Sequence, residues 1–161
     1  MTQVDRLCAW LGEETQLCDA LAAVLRDEQQ AIVGLRPAEL LACVERREAL
    51  SRALLAARDA RQLALSDLAG AYGIDPARPE GLLARLPGGP QALVRGALGR
   101  LREALTTGRS LERQTARLVE GSLAHVQELV RSLTALVPGA RYGADAELEA
   151  PAATERLDRR A

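Results

Sequence analysis

The sequence predicts an all-α fold: an elongated antiparallel three-helix bundle with coiled-coil-like packing, a long last helix and a Pro/Gly-rich connector. Three observations carry this. Apolar residues recur at three- and four-residue steps over long stretches. Aromatic residues are 2% of the 161 and Phe is absent, so Leu, Ala and Val must build the core, a composition suited to helices more than sheets. Prolines fall between the periodic stretches and not inside them.

The first helix is expected over residues 3–34. Val4, Leu7, Leu11, Cys18, Leu21, Leu25 and Ile32 form its apolar series, with a gap at Glu14. Gly34 offers a stop, and Pro37 disfavours helical geometry at Arg36 while suiting the first turn of a new helix. A hairpin of antiparallel helices follows. The second helix is expected over 37–72, with Leu40, Leu41, Val44, Leu50, Leu54, Leu55, Leu65 and Leu68 as its apolar positions. Their arc drifts backwards along the helix, as a seven-residue repeat does before supercoiling absorbs the mismatch. Glu48, Arg58 and Gln62 fall inside that arc, as edge positions with a snorkelling or paired charge or as a functional polar seam.

Residues 73–90 hold four of the seven prolines and four of the thirteen glycines, so they read as a connector. One or two helical turns around residues 80–86 would tuck Leu82, Leu83 and Leu86 onto the bundle. The third helix is expected over 91–137, on the order of 70 Å long if continuous. Gly108 lies on its apolar seam between Leu105 and Leu111, where either a close helix approach or a kink would explain it. Leu101, Leu105 and Leu111 are expected to hold the bundle. The bundle so predicted occupies residues 1–143, and 144–161 read as a disordered tail.

Chemistry is sparse. The one histidine cannot form a metal pair, and Cys8, Cys18 and Cys43 lack ligand or redox spacing and read as small buried hydrophobes. All basic residues are Arg, and no phosphate-cradling glycine loop or nucleophile motif occurs. The acid pairs Glu13-Glu14 and Asp27-Glu28 read as solvated helix surface. No catalytic residue, cofactor or metal is therefore expected. Net charge is −1 with acids and Arg interspersed, which argues against nucleic acid. No apolar run is long enough for a membrane span and no signal peptide is legible, so a cytoplasmic protein is expected.

The last helix carries the most information. Leu118, Val119, Ser122, Leu123, Val126, Leu129, Val130, Leu133, Leu136 and Val137 span an arc of roughly 140°, with His125 about 20° outside one edge. That is wider than the seam one partner needs. Either the helix packs between the first two, or part of its face is left for an amphipathic helix of another protein.

The helices "LCAWLGEETQLCDALAAVLRDEQQAI" and "ELLACVERREALSRALLAARDARQLAL", the stretch "TARLVEGSLAHVQELVRSLTALV" and the closing "RYGADA" resemble the flagellar export chaperones of the FlgN type. The likeness covers roughly residues 7–146. Two departures stand out. Where the family often has paired Asn residues this chain has Glu112 and Thr115, and the last Gly of the Tyr-Gly-x-Asp-Gly tail is Ala146. The resemblance implies a type III secretion chaperone that binds the helix-forming C-terminal segments of hook–filament junction proteins, with export apparatus components as further partners. On that reading Leu118, Val119, Ser122, Leu123, Val126, Leu129, Val130 and Leu133 bind the partner, and Tyr142-Gly143 folds back as a cap. The second reading is a self-associating structural or adaptor coiled coil.

Overall fold

A computed structural model describes residues 1–75 and 81–136, together with the backbone of Arg141–Tyr142 and Leu148–Glu149. The class is all-α. The long helices are α1 (Gln3–Val33), α2 (Pro37–Ala71) and α4 (Gly88–Leu136), and α3 (Leu82–Arg85) is a single turn. A two-residue antiparallel ladder pairs Arg141 with Glu149 and Tyr142 with Leu148, which no sequence pattern announced. Two compact units divide the chain, Met1–Leu118 and Val119–Ala161. The expected tail, the Tyr142 side chain and the proposed cap lie outside the described residues.

Local chemistry sets the helix ends. Thr2 caps α1: its hydroxyl accepts from the Asp5 amide at 3.1 Å, and the Asp5 carboxylate accepts from the Thr2 amide at 2.8 Å. These hydrogen bonds, the backbone one foremost, hold the Asp5 carboxyl below its ordinary range. Pro37 opens α2 at a position where a missing N–H costs nothing. The amide of Ile74 returns to the Ala69 carbonyl, with Gly73 at φ 65, which closes α2 in the left-handed geometry glycine favours. The corresponding turn after α1 differs. Gly34 stays right-handed, and Leu35 takes the left-handed position at φ 51 while 85% exposed. A Cβ on Gly34 would lie 2.7 Å from the Arg36 guanidinium, which donates to the Gln30 carbonyl.

α1 and α2 pack as an antiparallel pair. Four ion pairs fix the direction and register: Arg6–Asp67, Glu14–Arg61, Asp27–Arg46 and Glu28–Arg47. Buried positions of α1 recur at heptad spacing, with Val4, Leu11, Cys18, Leu25 and Ile32 in one row and Leu7, Glu14 and Glu28 in the next. The gap at Glu14 is thus a core position. Glu14 and Glu28 are only 6% and 4% exposed, which corrects their reading as solvated surface. Arginines opposite them neutralise the carboxylates, at 2.6 Å for Arg61 and 3.3 Å for Arg47.

On α2 the buried side chains are Cys43, Ala57, Ala64, Leu68 and Ala69. Leu41 and Leu55 are exposed, because small residues line the face that meets α1 and the larger leucines lie beside it. Cys8, half-buried, borders the core; Cys18 and Cys43 are buried, and burial pushes the Cys18 thiol up, away from the reactive thiolate.

One apolar cluster then joins α1, α2, α3 and the start of α4, bringing Leu7, Leu11, Leu68, Leu82, Leu86, Val94, Ala97 and Leu101 together. Leu82 and Leu86 tuck inward from α3. α4 begins at Gly88 and not at residue 91, because Pro90 fits within a first turn whose amides need no helical partner. It runs unbroken through Gly108, and nothing lies within 4 Å of where a Cβ there would sit. Neither a break nor a close approach explains that glycine.

Removing Arg61 would strand a buried carboxylate. Arg61→Ala is expected to cost about 2–3 kcal/mol in urea unfolding, whereas Arg131→Ala, at an exposed pair, costs under about 0.5 kcal/mol.

Candidate functional site

Burial along α4 changes abruptly. Val94, Ala97, Leu101, Ala104 and Thr115 are buried. Gln29 of α1 donates to the Leu111 carbonyl at 3.3 Å and to the Thr115 hydroxyl at 3.1 Å, tying α4 to α1 by polar contacts. Thr115 thus makes an inter-helix contact, while Glu112 is exposed. Leu118 is half-buried, and every residue from 119 to 135 is exposed.

The aliphatic arc therefore has a definite location. Val119, Leu123, Val126, Leu129, Val130 and Leu133 are between 43% and 58% exposed, and Ser122 is exposed among them. They form two heptad seams sharing Val119, Val126 and Leu133, one completed by Ser122 and Leu129, the other by Leu123 and Val130. Monomers rarely leave contiguous apolar surface of this kind open without an interaction to use it. No acid or arginine borders it: His125 and Ser132 lie on one edge, Gln127 and Thr134 on the other. Glu128 and Arg131, farther round, pair with each other at 2.7 Å.

A second apolar depression lies in the first unit. A groove of about 440 Å³ runs between α1, α2 and α4, lined by Cys18, Leu21, Leu54, Leu55, Leu105 and Gly108, with Glu14, Arg58 and Glu112 among its polar groups. Leu105 is 38% exposed and so lines this groove, where it was expected to hold the bundle; Leu111 is half-buried and Leu101 is buried as expected of bundle positions. The open space over Gly108 belongs here.

Reactive chemistry is not assembled at either place. Among the described residues no group of three His, Cys, Asp or Glu side chains could hold a metal ion, and no helix is long and apolar enough to cross a membrane.

The model of the FlgN protein family matches residues 1–150 of this chain. The chain belongs to the FlgN family. Searches among curated proteins and among solved structures returned no match. Membership makes this FlgN-family chain one of the flagellar export chaperones, a family that is generally non-enzymatic and acts on flagellar proteins.

Periodicity revealed the width of the aliphatic arc, whereas the Gln29–Thr115 contact and the groove over Gly108 went unread. The buried Glu–Arg pairs had a usable signal: Glu14 and Glu28 are two heptads apart, as are Arg47 and Arg61, the matched spacing an antiparallel hairpin needs.

Because the arc contributes little to folding, Leu129→Glu is expected to leave urea stability within about 0.5 kcal/mol of the parent. Leu25→Ala, in the core, is expected to cost about 2–5 kcal/mol in the same assay.

Proposed function

We propose that this FlgN-family chain is a cytoplasmic type III secretion chaperone whose α4 face binds the helix-forming C-terminal segments of hook–filament junction proteins. The single observation that carries the reading is the open row Val119, Leu123, Val126, Leu129, Val130 and Leu133 on a helix whose earlier turns are buried. Leu118 and Ser122 extend the same face. In this reading α1, α2 and the first part of α4 form a three-helix bundle, and the turns of α4 after Leu118 carry the binding face.

The physics of such a contact is simple. A client segment that is disordered alone folds into a helix as its apolar side meets the Leu/Val face. Each square ångström of apolar surface removed from water contributes roughly 25 cal/mol. Ordering the segment costs a few kcal/mol of that gain. A net affinity near micromolar, about −8 kcal/mol, holds the client against premature association and still lets the export apparatus remove it.

The absence of acids and arginines at the edges of the face fits a guest recognised by shape and burial, with specificity arising where guest polar groups meet Ser122, Gln127 and Ser132. A self-associating structural coiled coil is the second reading, favoured by the same open face.

Val126→Asp with Val130→Asp is expected to abolish pull-down of a junction-protein C-terminal segment while leaving helicity by circular dichroism unchanged. Loss of helicity would identify the face as core, and undiminished pull-down would move the client elsewhere on the molecule.

A further inference from the structure

We propose that the outer face of α4 between Arg95 and Arg117 is a docking surface for an acidic α-helix of another protein, one that carries carboxylates along a single row at seven-residue steps. The proposal does not rest on the reading above. Every charge it uses lies in the first unit, before the aliphatic arc opens at Val119.

Acids and arginines are mixed along the sequence, but not round this helix. At 100° per residue Arg95, Arg102, Arg109, Arg113 and Arg117 fall within about 80° of one another, and all five are exposed. The only other residues in that row are Gly99 and Thr106. Glu103 and Glu112 lie outside it, one on each side, and the buried Val94, Ala97, Leu101 and Ala104 face the other way. Among the described residues none of the five arginines is in an ion pair, in contrast to Arg6, Arg46, Arg47 and Arg61 of α1 and α2. Arg113 shows the consequence. Its Nε donates to the Arg109 carbonyl at 3.2 Å, so the guanidinium lies back toward a like-charged neighbour and keeps its other N–H donors for a guest. The Thr106 hydroxyl donates to the Arg102 carbonyl at 2.8 Å, so its proton is already committed. Like charges one turn apart, as at Arg109, Arg113 and Arg117, destabilise a helix, and an anionic partner removes that cost.

The shape of the row selects among anionic partners. It is one side chain wide and about 33 Å long, with Arg95, Arg102 and Arg109 about 10.5 Å apart. Carboxylates at every seventh residue of a second helix repeat at the same distance, and arginine takes a carboxylate with two parallel hydrogen bonds. A bilayer fits less well, since neither Gly99 nor Thr106 offers an apolar group large enough to enter it. Single-stranded nucleic acid is disfavoured because α4 has no aromatic residue on which bases could stack. Long polyanions also meet the rest of the chain, which carries an excess of acid: residues 95–117 hold six arginines and two glutamates, yet the whole has net charge −1. A single helix lying on the row feels mainly the charges within about 8 Å.

The full chain is tested by fluorescence anisotropy with a synthetic helical peptide bearing glutamate at every seventh position and alanine or glutamine elsewhere. A peptide of the same composition with its glutamates scattered round the helix is the control, beside vesicles of mixed phosphatidylcholine and phosphatidylserine and a short DNA duplex. The row peptide is expected to bind best, and more weakly as salt rises. Arg102→Gln with Arg109→Gln is expected to weaken it about tenfold, whereas Arg26→Gln, at an exposed arginine of α1, leaves it unchanged. Glutamine at exposed helix positions is expected to leave circular dichroism as in the parent, and the comparison of the two peptides on the parent chain stands whatever the variants do. No binding of the row peptide overturns the proposal, as does equal binding of the scattered peptide or a loss shared by Arg26→Gln. Tighter binding of the vesicles or the duplex than of the row peptide also overturns it, and assigns the row to a lipid surface or to nucleic acid instead.

Discussion

A mismatch of helix lengths governs this molecule. α4 has 49 residues, against 31 in α1 and 35 in α2, so its partners cannot cover it from end to end. Where coverage exists, α4 spends Val94, Ala97 and Leu101 on the common core and Thr115 on a hydrogen bond from Gln29. Beyond Leu118 the aliphatic pattern continues although burial does not. A chain under no demand to bind anything would gain solubility from polar residues there. The continued pattern is what ties fold to function.

The length mismatch is useful only if the covered part of α4 is held in one place. Register comes from the hairpin of α1 and α2. Carboxylates buried at Glu14 and Glu28 tolerate only alignments that return them to Arg61 and Arg47, so sliding by a turn would leave charges unpaired in the core. Such pairs add little net stability compared with apolar residues of similar size, and their value lies in rejecting the wrong alignment. Small residues on α2, Cys43, Ala57 and Ala64, let the backbones approach along the same face. The larger Leu54 and Leu55 are then left beside the seam, where with Leu105 they line the groove over Gly108.

The all-α class was legible because leucine spacing is unambiguous over thirty-residue stretches and nothing in the composition supports a sheet. Details that depend on two helices at once were not. Leu41 and Leu55 looked like core because leucine outweighs alanine in any apolar pattern, yet the buried positions of α2 are mostly small, with Cys43, Ala57, Ala64 and Ala69 beside Leu68. Glu14 looked like a gap because one helix cannot show that Arg61 waits on the other. Leu35 hid its left-handed backbone behind an adjacent glycine that the turn uses differently. At the site, periodicity disclosed an arc too wide for one seam, but not whether anything covered it; that depends on where the partners end, a property no single helix encodes.

Stability along α4 should follow the same division. With no side chain buried from 119 to 135, those turns are held by backbone hydrogen bonds and local pairs alone, and amides in such segments open readily. Hydrogen–deuterium exchange of the dilute chain, alone and with a junction-protein C-terminal segment, examines this most directly. Rapid exchange over 119–135 that becomes slow when the segment is added is the predicted result. Slow exchange there in the dilute chain alone, or exchange indifferent to the segment, would contradict the account.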